Sequence, residues 1–83
     1  MAEPNPEELV DLGVKSIEAK DYIQAKKYFE KACDLKYGRG CSNLAWLYRK
    51  GEGVGKDLIK ATQFYSKACK LGDQEACEAL KEK

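Results

Sequence analysis

The sequence predicts an all-α chain of tandem antiparallel helical hairpins, five helices in the order A-B-A-B-A, and three observations carry that reading. Apolar residues recur at three- and four-residue spacing almost throughout, and no run alternates strictly as a half-buried strand does. The segment from Ala25 to Leu44 returns from Ala61 to Leu80 at an offset of 36 residues, and a fixed period of this size marks stacked repeats. Within it Lys31-Ala32-Cys33-x-Leu35 recurs as Lys67-Ala68-Cys69-x-Leu71, Cys41-x-x-Leu44 as Cys77-x-x-Leu80, and Tyr28-Phe29 is answered by Phe64-Tyr65. Glycine and aspartate punctuate the pattern where helices must stop and start.

Pro4 and Pro6 suit the start of the first helix, whose expected inward face is Leu9, Leu12, Gly13, Ser16 and Ile17. Asp21 is the expected N-cap of the second, with Tyr22, Ala25, Tyr28, Phe29, Ala32, Cys33 and Leu35 on its stripe. A third helix is expected over about 40–50, with Cys41, Leu44, Ala45, Leu47 and Tyr48 inward, until Gly51-Glu52-Gly53-Val54-Gly55 breaks it. Asp57 then caps a fourth, carrying Leu58, Ala61, Phe64, Tyr65, Ala68, Cys69 and Leu71. Gly72 stops it, and Asp73 opens a short fifth helix to about Lys81. The organisation expected is one repeat domain over 1–83, with hairpins over about 6–36 and 38–71 and a closing helix over 73–82.

At 83 residues the chain makes one domain at most, and small cores often need staples. Net charge is +1 with acids and bases interleaved, so neither a nucleic-acid footprint nor a polybasic membrane patch is present. No apolar run approaches the roughly 20 residues that cross a bilayer. The expected partners therefore exclude nucleic acid and membrane. The N-terminal Met1-Ala2-Glu3-Pro4-Asn5-Pro6 has no apolar signal core. That fits a mature secreted sequence from which a signal peptide has been removed, with Met1 added; an intact cytosolic chain is the alternative.

The first hairpin, Leu12-Gly13-x-x-Ser16-Ile17-x-x-x-Asp21-Tyr22-x-x-Ala25-x-x-Tyr28-Phe29-x-x-Ala32, resembles the tetratricopeptide repeat. Gly13 and Ala25 take the small positions where helices A and B cross closely, with Tyr28 and Phe29 filling the space beside them. In the second hairpin Leu44 to Ala61 spans 17 positions, against 13 from Leu12 to Ala25. That longer A-to-B connection, with Gly51-x-Gly53-Val54, resembles the Sel-one-like repeat, a relative of the tetratricopeptide repeat. The KAC-x-L motifs followed by a cysteine eight residues on are similar to the Helicobacter cysteine-rich proteins. The resemblance implies a segment of right-handed superhelix. It also implies a departure, since such proteins usually carry four or more repeats, so an excised or engineered minimal module is expected. Glu75, Glu78, Lys81, Glu82 and Lys83 supply the polar outer face a terminal element needs.

Four cysteines allow three pairings. Cys33 falls near the end of one B helix and Cys41 one turn into the next A helix, so their Cα atoms can come within the roughly 4.4–6.8 Å a disulfide requires. Cys69 and Cys77 repeat that placement. The expected bridges are Cys33–Cys41 and Cys69–Cys77, in agreement with the resemblance. Free buried thiols remain an alternative. Zinc is disfavoured because structural sites use C-x₂₋₄-C knuckles and the chain has no histidine. No cofactor or metal is expected.

The lack of histidine also removes the commonest general base and the serine and cysteine triads. The resemblance implies a link to penicillin binding and weak β-lactamase activity. Yet Ser16, Ser42 and Ser66 are the only serines, none begins S-x-x-K, and neither S-D-N nor K-T-G occurs. Ser16 and Lys20 lie a turn apart without anything to activate them. Gly51-x-Gly53-x-Gly55 follows a helix and lacks G-K-[ST], so it is expected to pack rather than to cradle phosphate. The chain is thus expected to be a non-enzymatic scaffold whose A helices bind a protein or peptide on their concave side. The alternatives are the penicillin-binding or weak β-lactamase activity of the resembling family and a minimal design with no function beyond folding. Carrying over the tetratricopeptide register, the candidate surface is Val10, Val14 and Ile17 in the first repeat and Arg39, Ser42, Trp46, Arg49 and Lys50 in the second. Trp46 is the expected anchor, because Trp and Arg are enriched at hot spots, with packing between repeats as its competing role. A monomer is expected, with modest affinity and weak self-association as a further use of the patch. The cysteines point to an oxidising, secreted or periplasmic origin.

Overall fold

Four of the five described helices begin where a polar side chain supplies what the backbone lacks. In the computed structural model, which describes residues 5–81, Asn5 accepts from the Glu8 amide at 2.9 Å and opens α1 (Pro6–Glu18). Asp21 accepts from Gln24 at 3.1 Å at the start of α2 (Tyr22–Asp34), and Asp57 accepts from Lys60 at 2.9 Å at the start of α4 (Leu58–Lys70). Asp73 accepts from the Glu75 and Ala76 amides and opens α5 (Gln74–Ala79). Such caps satisfy amide donors that have no carbonyl partner within the helix. Between α2 and α4 lies α3 (Gly38–Lys50), whose N-cap Tyr37 makes no side-chain bond. It starts two residues before the expected 40. The closing helix is shorter than expected and ends at Ala79. Of its outer residues Glu75, Glu78 and Lys81 are exposed, and Glu82 and Lys83 fall outside the described residues, as do Met1 to Pro4.

α1 and α2 end alike, with Lys20 and Lys36 in left-handed conformation at φ 63° and 65°. Around Lys36, the Tyr37 amide reaches back to the Ala32 carbonyl and the Lys36 amide to that of Cys33, capping the final turn. α4 ends through the same bonds with Gly72 in that place, at φ 100°.

The helices pack in sequence, α1 on α2, α2 on α3, α3 on α4 and α4 on α5, and α1 also touches α3. The chain is all-helical among the described residues, and the stack is a slab of 42 × 26 × 16 Å. Leu9, Val10, Ala25, Phe29, Ala32, Leu44, Leu47, Tyr48 and Ala61 form the main core. At the α1–α2 crossing a Cβ on Gly13 would stand 2.8 Å from Phe29 Cδ1 and Cζ, so the ring uses the space a side chain would need. Between α3 and α4 the Tyr48 and Phe64 rings stack with centroids 5.7 Å apart, a geometry worth about 0.5–1.5 kcal/mol beyond its buried area. The long connection between α3 and α4 folds back over α2. Gly53, at φ 72°, lies so close to Tyr22 that a Cβ on it would sit 2.7 Å from the Tyr22 Cβ, and Val54 packs against the core.

Several leucines expected inward are at the surface. Leu35 and Leu71 are C-caps beyond the last helical turn, 52% and 38% exposed, where the helical spacing no longer holds. Leu12 is 36% exposed whereas Leu44, its counterpart in α3, is 1% exposed: α2 covers Leu44, and no described helix precedes α1 to cover Leu12. Val10, expected on the binding surface, is 4% exposed and belongs to the core. α1 packs on α2 and also touches α3, so a position read as groove in the first repeat is consumed by packing.

Candidate functional site

Two bridges hold the B-to-A turns. Cys33 is joined to Cys41 with Cα atoms 4.5 Å apart, and Cys69 to Cys77 at 4.8 Å. Each links the last turn of a B helix to the first turn of the A helix that follows, which holds those two helices together.

The A helices α3 and α5 flank a recess of about 210 Å³ lined by Ser42, Asn43, Trp46, Tyr65, Glu75 and Ala79, with Ala76 beneath. A second recess of about 310 Å³ adjoins it, lined by Arg49, Leu58, Ala61, Thr62, Tyr65 and Leu80. Tyr65 and Ala79 border both, so the two form one groove. Its centre is aromatic and aliphatic, with Glu75 towards one end and Arg49 towards the other.

Of the expected surface residues, Ser42, Trp46 and Arg49 come together here. Trp46 is half-buried and packs against the main core while also lining the groove. Ser42 is already engaged. Its Oγ lies 2.7 Å from Asp73 Oδ2 and 3.0 Å from the Arg39 carbonyl, and its single proton favours the carboxylate. Arg39 lines a different cavity of about 410 Å³, between the two B-to-A turns, with Lys36, Tyr37, Asp73 and Glu75. Val14, 40% exposed, and half-buried Ile17 stand on α1 and line neither part of the groove. Lys50 is exposed at the end of α3.

Tyr65 was missing from the expected surface, although the sequence held a signal for it. Its counterpart 36 residues earlier is Phe29, fully buried. A hydroxyl appearing where the first repeat has a bare ring marks a core position that opens to solvent. Asn43, Glu75 and Ala79 carried no such mark.

Two of the three serine hydroxyls are committed to structure. Ser16 donates to the Leu12 carbonyl at 2.9 Å, and Ser42 is held as described. Among the described residues no group of three acidic, histidine or cysteine side chains is placed to hold a metal ion. No described helix is long and apolar enough to cross a membrane.

The Sel1 repeat family model matches residues 12–37 and 38–73, one match for each hairpin. The chain belongs to the Sel1 repeat family. Its relatives include HcpC of Helicobacter pylori strain ATCC 700392 / 26695, 64% identical over 56 residues, which is 68% of this chain and 19% of HcpC. They also include Beta-lactamase HcpA of H. pylori strain J99, 55% identical over 56 residues, 68% of this chain and 22% of HcpA. The chain thus spans about a fifth of the length of these relatives. Helicobacter pylori cysteine rich protein B superimposes with a TM-score of 0.79 at 32% identity, covering 90% of this chain and 59% of that one. A Sel1 repeat protein from Oxalobacter formigenes gives the same TM-score at 28% identity, over 87% and 31%. The kinship with the Helicobacter cysteine-rich proteins agrees with the sequence reading, and this Sel1 chain carries their repeat with two disulfides.

Proposed function

We propose that this Sel1 chain is a disulfide-stapled scaffold that binds a protein or peptide segment in the groove between α3, α4 and α5, with Trp46 as the anchor. The observation that carries the reading is the double placement of Trp46, braced by the core on one side and presented to the groove beside Tyr65 on the other. A large ring already ordered before binding loses little entropy when a partner covers it. Trp, Tyr and Arg are also the types over-represented among residues that dominate interface energies. The shortness of the groove favours a brief segment with one apolar side chain and modest affinity.

The test is selection from a displayed random-peptide library, followed by Trp46→Ala. Retained helicity with binding weakened by about tenfold or more supports the groove, a hot-spot loss of roughly 1.4 kcal/mol or above. Unchanged affinity overturns it.

We infer further that the chain is not an enzyme, although HcpA is named a beta-lactamase. Support comes from the absence of S-x-x-K, S-D-N and K-T-G and from the engaged hydroxyls of Ser16 and Ser42. Hydrolysis of a chromogenic cephalosporin above the protein-free rate would overturn this. An extracytoplasmic, oxidising location is the third part of the reading, supported by the two bridges and the Helicobacter relatives.

A further inference from the structure

The two disulfides repeat one another in sequence but not in surroundings. Cys33 and Cys41 are 1% and 0% exposed and lie in one buried cluster with Ala68 and Ala76, beneath Phe64 and Tyr65. The second repeat therefore roofs over the first bridge. Cys69 and Cys77 are only half-buried.

Access separates the two bridges and charge does not, because the 36-residue shift exchanges Glu30 and Asp34 for Ser66 and Lys70 but also Lys36, Arg39 and Ser42 for Gly72, Glu75 and Glu78. The attacking species in disulfide exchange is a thiolate, which must reach the sulfur it attacks.

What the second bridge holds is also distinctive. α5 has six residues, well below the length at which a helix persists alone. Beyond its packing on α4 it is tied to the body by the Ser42–Asp73 hydrogen bond.

We propose that Cys69–Cys77 is a redox-sensitive latch: a thiol reductant opens it ahead of Cys33–Cys41, and opening releases α5 from α4. The thiolate of the reductant attacks one sulfur of the bridge and the Sγ–Sγ bond breaks. A mixed disulfide forms on that cysteine, and the other leaves as a thiolate and takes a proton. A second thiol displaces the first, so two thiols are oxidised to one disulfide and the bridge is reduced by two electrons. Departure of α5 withdraws Ala76 and Ala79 from the groove wall. It also removes Ala76 from the cluster over Cys41, so the first bridge becomes reachable only afterwards.

The test uses the full chain, incubated with limiting reduced glutathione, trapped with iodoacetamide and mapped by mass spectrometry. A species alkylated at Cys69 and Cys77 with Cys33–Cys41 intact should accumulate, its bridge opening at least about tenfold faster than the other. In that species the amides of 74–80 should exchange with deuterium while those of α2 and α3 stay protected. Concerted loss of both bridges, earlier opening of Cys33–Cys41, or undiminished protection of 74–80 overturns the latch. The double variant Cys69→Ser/Cys77→Ser should show the same loss of protection at 74–80 without reductant; protection equal to the parent chain would overturn it equally.

Discussion

Ser42 and Asp73, 31 residues apart, meet at 2.7 Å across the junction of two repeats, while the other Asp73 oxygen caps α5 through the Glu75 and Ala76 amides. One carboxylate thus serves an A-to-A contact and a helix start together. Ser42→Ala is expected to cost about 1 kcal/mol, the usual net worth of such a bond. Asp73→Ala loses bond and cap, and about 1–3 kcal/mol is expected. Urea melts of the two single variants and the double variant check this; full additivity would mean that the residues do not interact.

Gly13→Ala should destabilise by about 1–3 kcal/mol through overpacking against Phe29. Phe29→Leu is costly alone, yet should recover part of the loss in the Gly13→Ala background. A double variant that simply sums the two losses would show that the ring does not set the α1–α2 spacing.

Lys36→Gly is expected to stabilise the chain. Lys36 holds φ 65° in the position where the second repeat has Gly72. A left-handed lysine costs roughly 1–2 kcal/mol, offset in part by the backbone freedom glycine loses on folding, so a net gain of about 0.5–1 kcal/mol is expected. A fall in Tm would contradict it.

Removal of the buried bridge by Cys33→Ala/Cys41→Ala should cost about 2.5 kcal/mol from loop closure alone. That is a large share of what a domain of this size has. Comparison of thermal melts with the parent chain gives the number, and a change below about 1 kcal/mol would mean the reduced chain is already constrained by its helices.

Much of the fold was legible because local signals agreed. Asp21, Asp57 and Asp73 marked helix starts, and the 36-residue period tied Ala25 to Ala61 and Cys33 to Cys69 in matching places. What misled was the assumption that equivalent positions have equivalent neighbours. Leu12 copies Leu44 in sequence but no described helix covers it, and Leu58 stands 57% exposed where Tyr22 is half-buried beneath the Gly53 connection. The candidate site suffered likewise. Val10 stands in the core at 4% exposure, and Tyr65 is only partly buried where its counterpart Phe29 is fully buried. Periodicity assigns a residue to a face; which faces are covered depends on the neighbour each repeat has.

The connection between α3 and α4 lies against Tyr22 of the preceding hairpin through Gly53, and the Asp57 amide at its end bonds the Tyr48 carbonyl at 2.9 Å. An ordinary surface loop tolerates lengthening at a cost of about 0.6 kcal/mol per doubling. This one works as a strap, seated on the first hairpin through Gly53 and packed on the core through Val54. With the Cys33–Cys41 bridge and the α2–α3 packing it ties the two hairpins together, so the pair should melt in one step, and at a lower temperature once the connection is trimmed to the length found in the first hairpin.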